Sequence, residues 1–160
     1  MSDWPEEVER VSAVLRAAGV ESRIEEFDAG TPTARDAAKA VGCELEQIVK
    51  SLVVVCDGAF VVAFVPGDRR ADERLIAKAV GAELVRIAKP EEVVHATGFE
   101  PGAVAPFPHR AVSQTLMDPI LLRHGTVWVG AGTHRHMASL APAELQRLTR
   151  ARTVEVTTSG

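Results

Sequence analysis

A chain of 160 residues, 46% apolar and 25% charged, is large enough for one domain that buries about two-thirds of the surface its unfolded chain exposes, with no need of a covalent or metal staple. Its formal net charge of −4 argues against a general nucleic-acid coat, which neutralises many phosphates at once. A grip on one end of an RNA needs only a few local cations, for which Lys50, Arg69, Arg70 and the run from Arg147 to Arg152 are candidates. Cys43 and Cys56 are too few for a disulfide framework and too far apart for a paired ligand motif, so both are read as reduced thiols. The longest apolar stretch, Ser51 to Val65, is broken by Asp57 and Gly58, and the first residues lack the basic flank and apolar core of a signal peptide. A cytoplasmic protein with no membrane and no DNA partner is the expectation.

In chain order, Glu6 to Ala18 spaces Val8, Val11, Val14 and Leu15 along one helical face behind Ser2, Asp3 and Pro5, with Gly19 as its stop. Ile24 to Phe27 reads as a strand. Thr31-Pro32-Thr33 then precedes a helix over Ala34 to Val41, with Thr33 as N-cap and Gly42 as terminator. A short helix at Leu45 to Val49 runs into Ser51 to Cys56, which the Asp57-Gly58 turn joins to Ala59 to Val65 as a buried hairpin. A helix over Ala71 to Val80 follows, then a strand at Glu83 to Ile87 and a helix opened by Pro90 and closed by Gly98. Phe99 to Pro108 is too rich in Gly and Pro for a ladder or a helix, so it is a shaped loop. Val112, Thr115 to Asp118 and Thr126 to Gly130 suggest late strands, Ala141 to Leu148 a last helix, and Val154 and Val156 an edge strand. No repeat or linker divides the chain, so residues 1–160 form one α/β domain. Hairpins without a strict βαβ rhythm favour a mixed, largely antiparallel sheet, curled and barrel-like, with helices around it.

The chemistry is narrowed first by what is missing. No Gly-rich phosphate loop and no G-x-S-x-G elbow is present, which leaves neither triphosphate chemistry nor an obvious nucleophile. His134 and His136 could share one face of a strand as metal ligands, with His95, His109 or His124 as a third, but no acidic partner or H-E-x-x-H motif accompanies them, and no metal or cofactor is expected. Lys50 enters an apolar run, which is costly unless its ammonium snorkels to water or meets an anion, either a phosphate or a developing negative charge. The loop from Gly98 to Pro106 can offer successive backbone N–H groups to a carbonyl oxygen, glycine permitting close approach and proline fixing the exit.

These pieces stand in a familiar order. Thr33-Ala34-Arg35-Asp36-Ala37-Ala38, Gln47-Ile48-Val49-Lys50-Ser51-Leu52, Gly67-Asp68-Arg69-Arg70, Thr97-Gly98-Phe99-Glu100-Pro101-Gly102, the loop bearing Pro106, and Val129-Gly130-Ala131-Gly132 resemble the YbaK/prolyl-tRNA-editing domain family over roughly Val8 to Leu148. The resemblance implies a mixed α/β fold and trans-editing of mischarged tRNA, most often proline tRNA carrying alanine or cysteine, without a metal. It implies that Lys50 is the best-marked functional residue and that the loop Gly102, Ala103, Val104, Ala105 and Pro106 binds the aminoacyl carbonyl through its backbone. Thr33, Ser51, Gly130, Gly132 and His136 complete the expected substrate site, His136 being preferred to His134. Gly132 either leaves space for the bound amino acid or relieves a crowded strand end. The partners implied are the acceptor end of mischarged aminoacyl-tRNA and an aminoacyl-tRNA synthetase. The alternative reading is a module that binds aminoacyl-tRNA or a synthetase without turnover.

Overall fold

The computed structural model describes residues 4–27 and 33–159, so Ser2, Asp3, Thr31 and Pro32 lie outside the described residues. The first helix, α1 (Glu6–Ala17), turns Val8, Val11 and Leu15 fully inward. Strand β1 (Arg23–Glu26) follows it, and α2 (Ala34–Val41) opens where the Thr33 hydroxyl accepts the Asp36 N–H at 3.0 Å. The helix ends at Gly42 in the left-handed conformation (φ 74°), where a side chain would be strained.

A 3-10 turn over Leu45–Gln47 leads into β2 (Val49–Cys56) and β3 (Ala59–Pro66), eight residues each, paired antiparallel without interruption. Asp57 and Gly58 both have positive φ (49° and 86°), the backbone that a two-residue hairpin turn requires. The Asp57 carboxylate also accepts the N–H groups of Glu83 and Leu84, which holds it below the usual carboxylate range.

The remaining elements, in chain order, are β4 (Arg69–Ala71), α3 (Glu73–Val80), β5 (Val85–Ile87), α4 (Pro90–Thr97), β6 (Gln114–Met117), β7 (Val127–Gly130), β8 (His136–Leu140), α5 (Pro142–Thr149), β9 (Arg152–Thr153) and β10 (Thr157–Ser159). Three of these depart from expectation. Strand β4 was unexpected, because Gly67-Asp68-Arg69-Arg70 is polar throughout; it pairs with β10 and delays α3 to Glu73, capped by the Asp72 carboxylate. Strand β8 was unexpected too, since His136-Met-Ala-Ser-Leu140 has no β-branched residue. Val154 and Val156 are not in an edge strand; the paired residues flank them in β9 and β10.

A curled, barrel-like sheet is not what the chain forms. Among the described residues the strands fall into three open sheets: β5-β2-β3-β6-β9, β1-β8-β7 and β10-β4. A barrel needs an unbroken ladder with a consistent stagger. Here β7 pairs along its length with β8, and among the described residues its backbone pairing with the large sheet's side is limited to an isolated parallel bridge from Trp128 to Ile48. The pairing is mixed and largely antiparallel, β3–β6 and β6–β9 being the parallel pairs.

The hairpin β2–β3 is buried on both faces, which explains its near-continuous apolar sequence. Val53, Val55, Val62 and Phe64 face one cluster with Phe99, Met117, Leu121 and Leu145. Val54, Cys56, Val61, Ala63 and Val65 face the other, with Ile76, Leu116 and Val156. Asp118 is buried beside them at 1% exposure, its carboxylate satisfied by the N–H groups of Ile120 and Val156 and the Thr157 hydroxyl. Among the described residues no helix is long and apolar enough to cross a membrane.

Candidate functional site

Four segments converge on a cleft of about 240 Å³: the start of α2, the entry to β2, the loop after α4 and the turn between β7 and β8. Eight of the residues singled out in the sequence line it: Thr33, Lys50, Ser51, Gly102, Ala103, Val104, Gly130 and His136. Ala34, Ala37, Ile48, Val49, Thr133, His134 and Met137 also line it, apolar and polar groups together, with Ala34 and Ala37 the small ones among them.

Lys50 is the second residue of β2, opposite Val65 across the hairpin. That register leaves the side chain half-buried, with Nζ donating to the Arg69 carbonyl at 2.7 Å. An ammonium has three donors, so two remain for a ligand. Burial pushes the group below the ordinary lysine value, the Asp68 carboxylate counteracts this and Arg70 adds to it. Behind it Glu46 approaches both Arg69 at 3.6 Å and His124 at 2.8 Å, so the neighbouring arginine is held by carboxylates.

The loop turns at Gly102 (φ 81°) and is closed by a hydrogen bond from the Ala103 N–H to the Glu100 carbonyl at 2.9 Å. That bond commits the Ala103 amide, which the sequence reading had included among the carbonyl donors. Among the described residues the N–H groups of Gly102, Val104 and Ala105 have no acceptor, and a backbone donor without a partner is costly wherever water is excluded. Gly130 explains how the loop reaches the sheet: a β-carbon there would lie 2.9 Å from the Val104 carbonyl oxygen.

Three expected site residues lie elsewhere. Ala105 and Pro106 are buried and do not line the cleft; the Ala105 carbonyl accepts a hydrogen bond from His109 Nε2 at 2.7 Å. Gly132 (φ 104°) faces α1, where a β-carbon would meet the Glu7 carbonyl group at 2.9 Å. Of its two readings, relief of a crowded strand end is the one the packing fits. Thr33 reaches the cleft, but its hydroxyl is engaged in the helix cap, accepting the Asp36 N–H and donating to the Asp36 carboxylate at 2.7 Å. The Ser51 hydroxyl has no hydrogen-bond partner among the described residues.

The two histidines are placed differently. His134 is exposed, its Cε1 3.0 Å from where a β-carbon on Gly102 would stand. His136 is only 3% exposed. Its Nδ1 meets the Thr133 hydroxyl at 2.6 Å, its Nε2 lies 3.5 Å from Glu26, and Trp4 packs edge-on against its ring at 5.4 Å. Burial lowers its pKa, Glu26 raising it and Arg135 lowering it further. Among the described residues no three His, Cys, Asp or Glu side chains are grouped to hold a metal. Thr133, Glu26, Trp4 and Met137 escaped the sequence reading. Only Thr133 left a trace there, as a hydroxyl three residues before a histidine.

Comparison with known proteins follows this geometry. Residues 28–148 match the family model described as the aminoacyl-tRNA editing domain. The uncharacterized protein YwhH of Bacillus subtilis is 32% identical over 126 residues, 78% of this chain and 80% of its own length. Proline–tRNA ligase of Xanthomonas oryzae is 35% identical over 108 residues, 66% of this chain but only 19% of the ligase, so the chain spans about a fifth of that relative. Among solved structures, one described as a candidate trans-editing enzyme for prolyl tRNA synthetase superposes with a TM-score of 0.91 at 36% identity, covering 98% of this chain and 99% of that one.

Proposed function

The chain belongs to the aminoacyl-tRNA editing domain family, and from that premise we propose that it hydrolyses, in trans, the ester of mischarged tRNA, the substrate being proline tRNA that carries alanine or cysteine. The observation that carries this reading is the convergence on one cleft of the Lys50 ammonium, the Gly102–Val104 backbone and the small residues Ala34, Ala37 and Gly130. Similarity to a proline–tRNA ligase segment and to a structure described as an editing partner of prolyl tRNA synthetase supports the choice of tRNA.

An aminoacyl ester is already activated, so the protein needs an oriented water, a site for the oxyanion and a fit for the small side chain. Water attacks the carbonyl carbon; the charge that develops on the carbonyl oxygen is met by the partnerless loop amides and by Lys50. The bond to the ribose oxygen then breaks, with the neighbouring ribose hydroxyl assisting proton transfer. No metal enters this scheme. Lys50 contacts the reacting group or the adjacent phosphate, Ser51 and His136 contact the substrate, and Ala34, Ala37 and Gly130 set the width available to its side chain. One methylene discriminates by only about 1–3 kcal/mol in an apolar pocket, so exclusion of proline rests on clash with these walls.

The test is deacylation of tRNAs charged with alanine, cysteine, serine, threonine and proline, by wild type and by Lys50→Ala, with the metal content of the purified protein measured. Hydrolysis confined to small residues, lost in the variant and indifferent to chelator, is expected. A protein that binds charged tRNA and leaves every ester intact would instead be the non-catalytic module.

A further inference from the structure

His136 contacts the substrate in the scheme above, and Thr133, which is paired with it, has no part there. The Thr133 hydroxyl oxygen accepts the Arg135 N–H at 3.1 Å and meets His136 Nδ1 at 2.6 Å, and it has no other partner among the described residues. A hydroxyl has one proton to give. Donated to Nδ1, it satisfies both groups; turned elsewhere, it reaches no acceptor among the described residues. The opposite end of the ring leads to the same assignment. Nε2 is buried without a hydrogen-bond partner, and the nearest charge to it is the Glu26 carboxylate at 3.5 Å, which favours a proton on Nε2. Trp4 and Glu26, which back the ring, both lie before residue 28, where the family match begins.

We propose that Thr133 is a positioning residue for deacylation: it fixes His136 in the tautomer protonated on Nε2, with that N–H turned toward the Glu26 carboxylate, and so holds a neutral imidazole at the cleft wall with no ring nitrogen free to act as a general base. The catalytic half of this rests on the function proposed above; the tautomer does not, because it is a property of the protein without substrate. The charged groups facing the ring are Glu26 from β1 and Arg135 from the turn before β8.

The experiment labels histidine with ¹⁵N and compares wild type, Thr133→Val and Thr133→Ser, reading the His136 ring nitrogens by NMR and deacylation of the charged tRNA that wild type hydrolyses. The expected result is a protonated Nε2 in wild type and in Thr133→Ser. Thr133→Val, which keeps the shape but loses the hydroxyl, mixes the tautomers and lowers kcat by about tenfold, the loss of one good hydrogen bond, with KM held within about twofold. Thr133→Ser, which keeps the hydroxyl, restores both signals, and the ring nitrogen signals, which turn stability alone would not move, separate positioning from a merely structural role. A wild type protonated on Nδ1, or a Thr133→Val protein with unaltered ring signals, overturns the tautomer assignment. Mixed tautomers with an unaltered rate overturn the positioning role. A wild type with the expected ring signals that hydrolyses no charged tRNA refutes the function itself and leaves the tautomer standing.

Discussion

The hairpin β2–β3 and the three-stranded sheet β1-β8-β7 solve opposite problems. The hairpin pairs eight residues with eight, buries both faces and is built from Val, Phe and Ala, so its stability comes from apolar area removed from water. The smaller sheet pairs four residues with four on each side of β8, and it carries a buried histidine, a glycine that admits a loop and partners drawn from exposed strand ends. Lys50 sits at the open end of the hairpin, paired with Val65, and lines the cleft. Apolar burial is concentrated in the hairpin, while the candidate cleft draws on both sheets, Lys50 and Ser51 coming from one and Gly130 and His136 from the other.

That division is broken first by emptying the hairpin's side of the core. Leu116→Ala, in β6 at full burial, is expected to cost about 2–5 kcal/mol in denaturant unfolding, while the molecules still folded deacylate at the wild-type rate. An equal loss of kcat in the folded fraction would show the two regions to be one. Next in size, Lys50→Ala removes the charge with little effect on unfolding and lowers deacylation by about a hundredfold, near 2.7 kcal/mol of transition-state stabilisation. Gly132→Ala presses a methyl group onto the Glu7 backbone from a left-handed conformation, so it is expected to lower stability by about 1–3 kcal/mol and to leave substrate selectivity as it was. Altered selectivity would return Gly132 to the cleft.

The smallest effect is on pH. Burial lowers the Lys50 pKa, so the folded protein releases this proton at lower pH than the unfolded chain does, and the stability penalty of the charged form fades as pH rises through that window. If the ammonium is the working form, kcat/KM corrected for spontaneous ester hydrolysis falls on an alkaline limb below the ordinary lysine value of about 10.4. A limb at or above that value would place the ammonium in water.

The helix ends and the hairpin turn were legible because their signals are local. The Thr33 cap, the Gly42 and Gly98 stops, Pro90 and the Asp57-Gly58 turn each act within a few residues, and the structure has all of them. What the sequence concealed depends on distant partners. Strand β8 is a strand because β1 and β7 pair with it, not because His136-Met-Ala-Ser-Leu140 favours one. The arrest of the Ala103 amide by Glu100 is a detail of turn geometry, and the role of Gly132 is set by α1 lying more than a hundred positions earlier. The barrel expectation failed for the same reason: strand number and alternation do not say which strands share a ladder.

The pairing of β1 with β8 has a kinetic meaning as well. Arg23 and Ser139, which bond across it, are 116 positions apart, whereas the hairpin closes through a two-residue turn. Loop closure of that length must be completed before any contact rewards it, so the hairpin can form early and the histidine-bearing sheet late. The elements assembled last, through few contacts, are also those that open most readily in the folded state. Amide hydrogens of β1 and β8 should therefore exchange with solvent well ahead of those in β2 and β3, and substrate held against His136 should slow that exchange, so that the protein finishes knitting itself around the molecule it acts on.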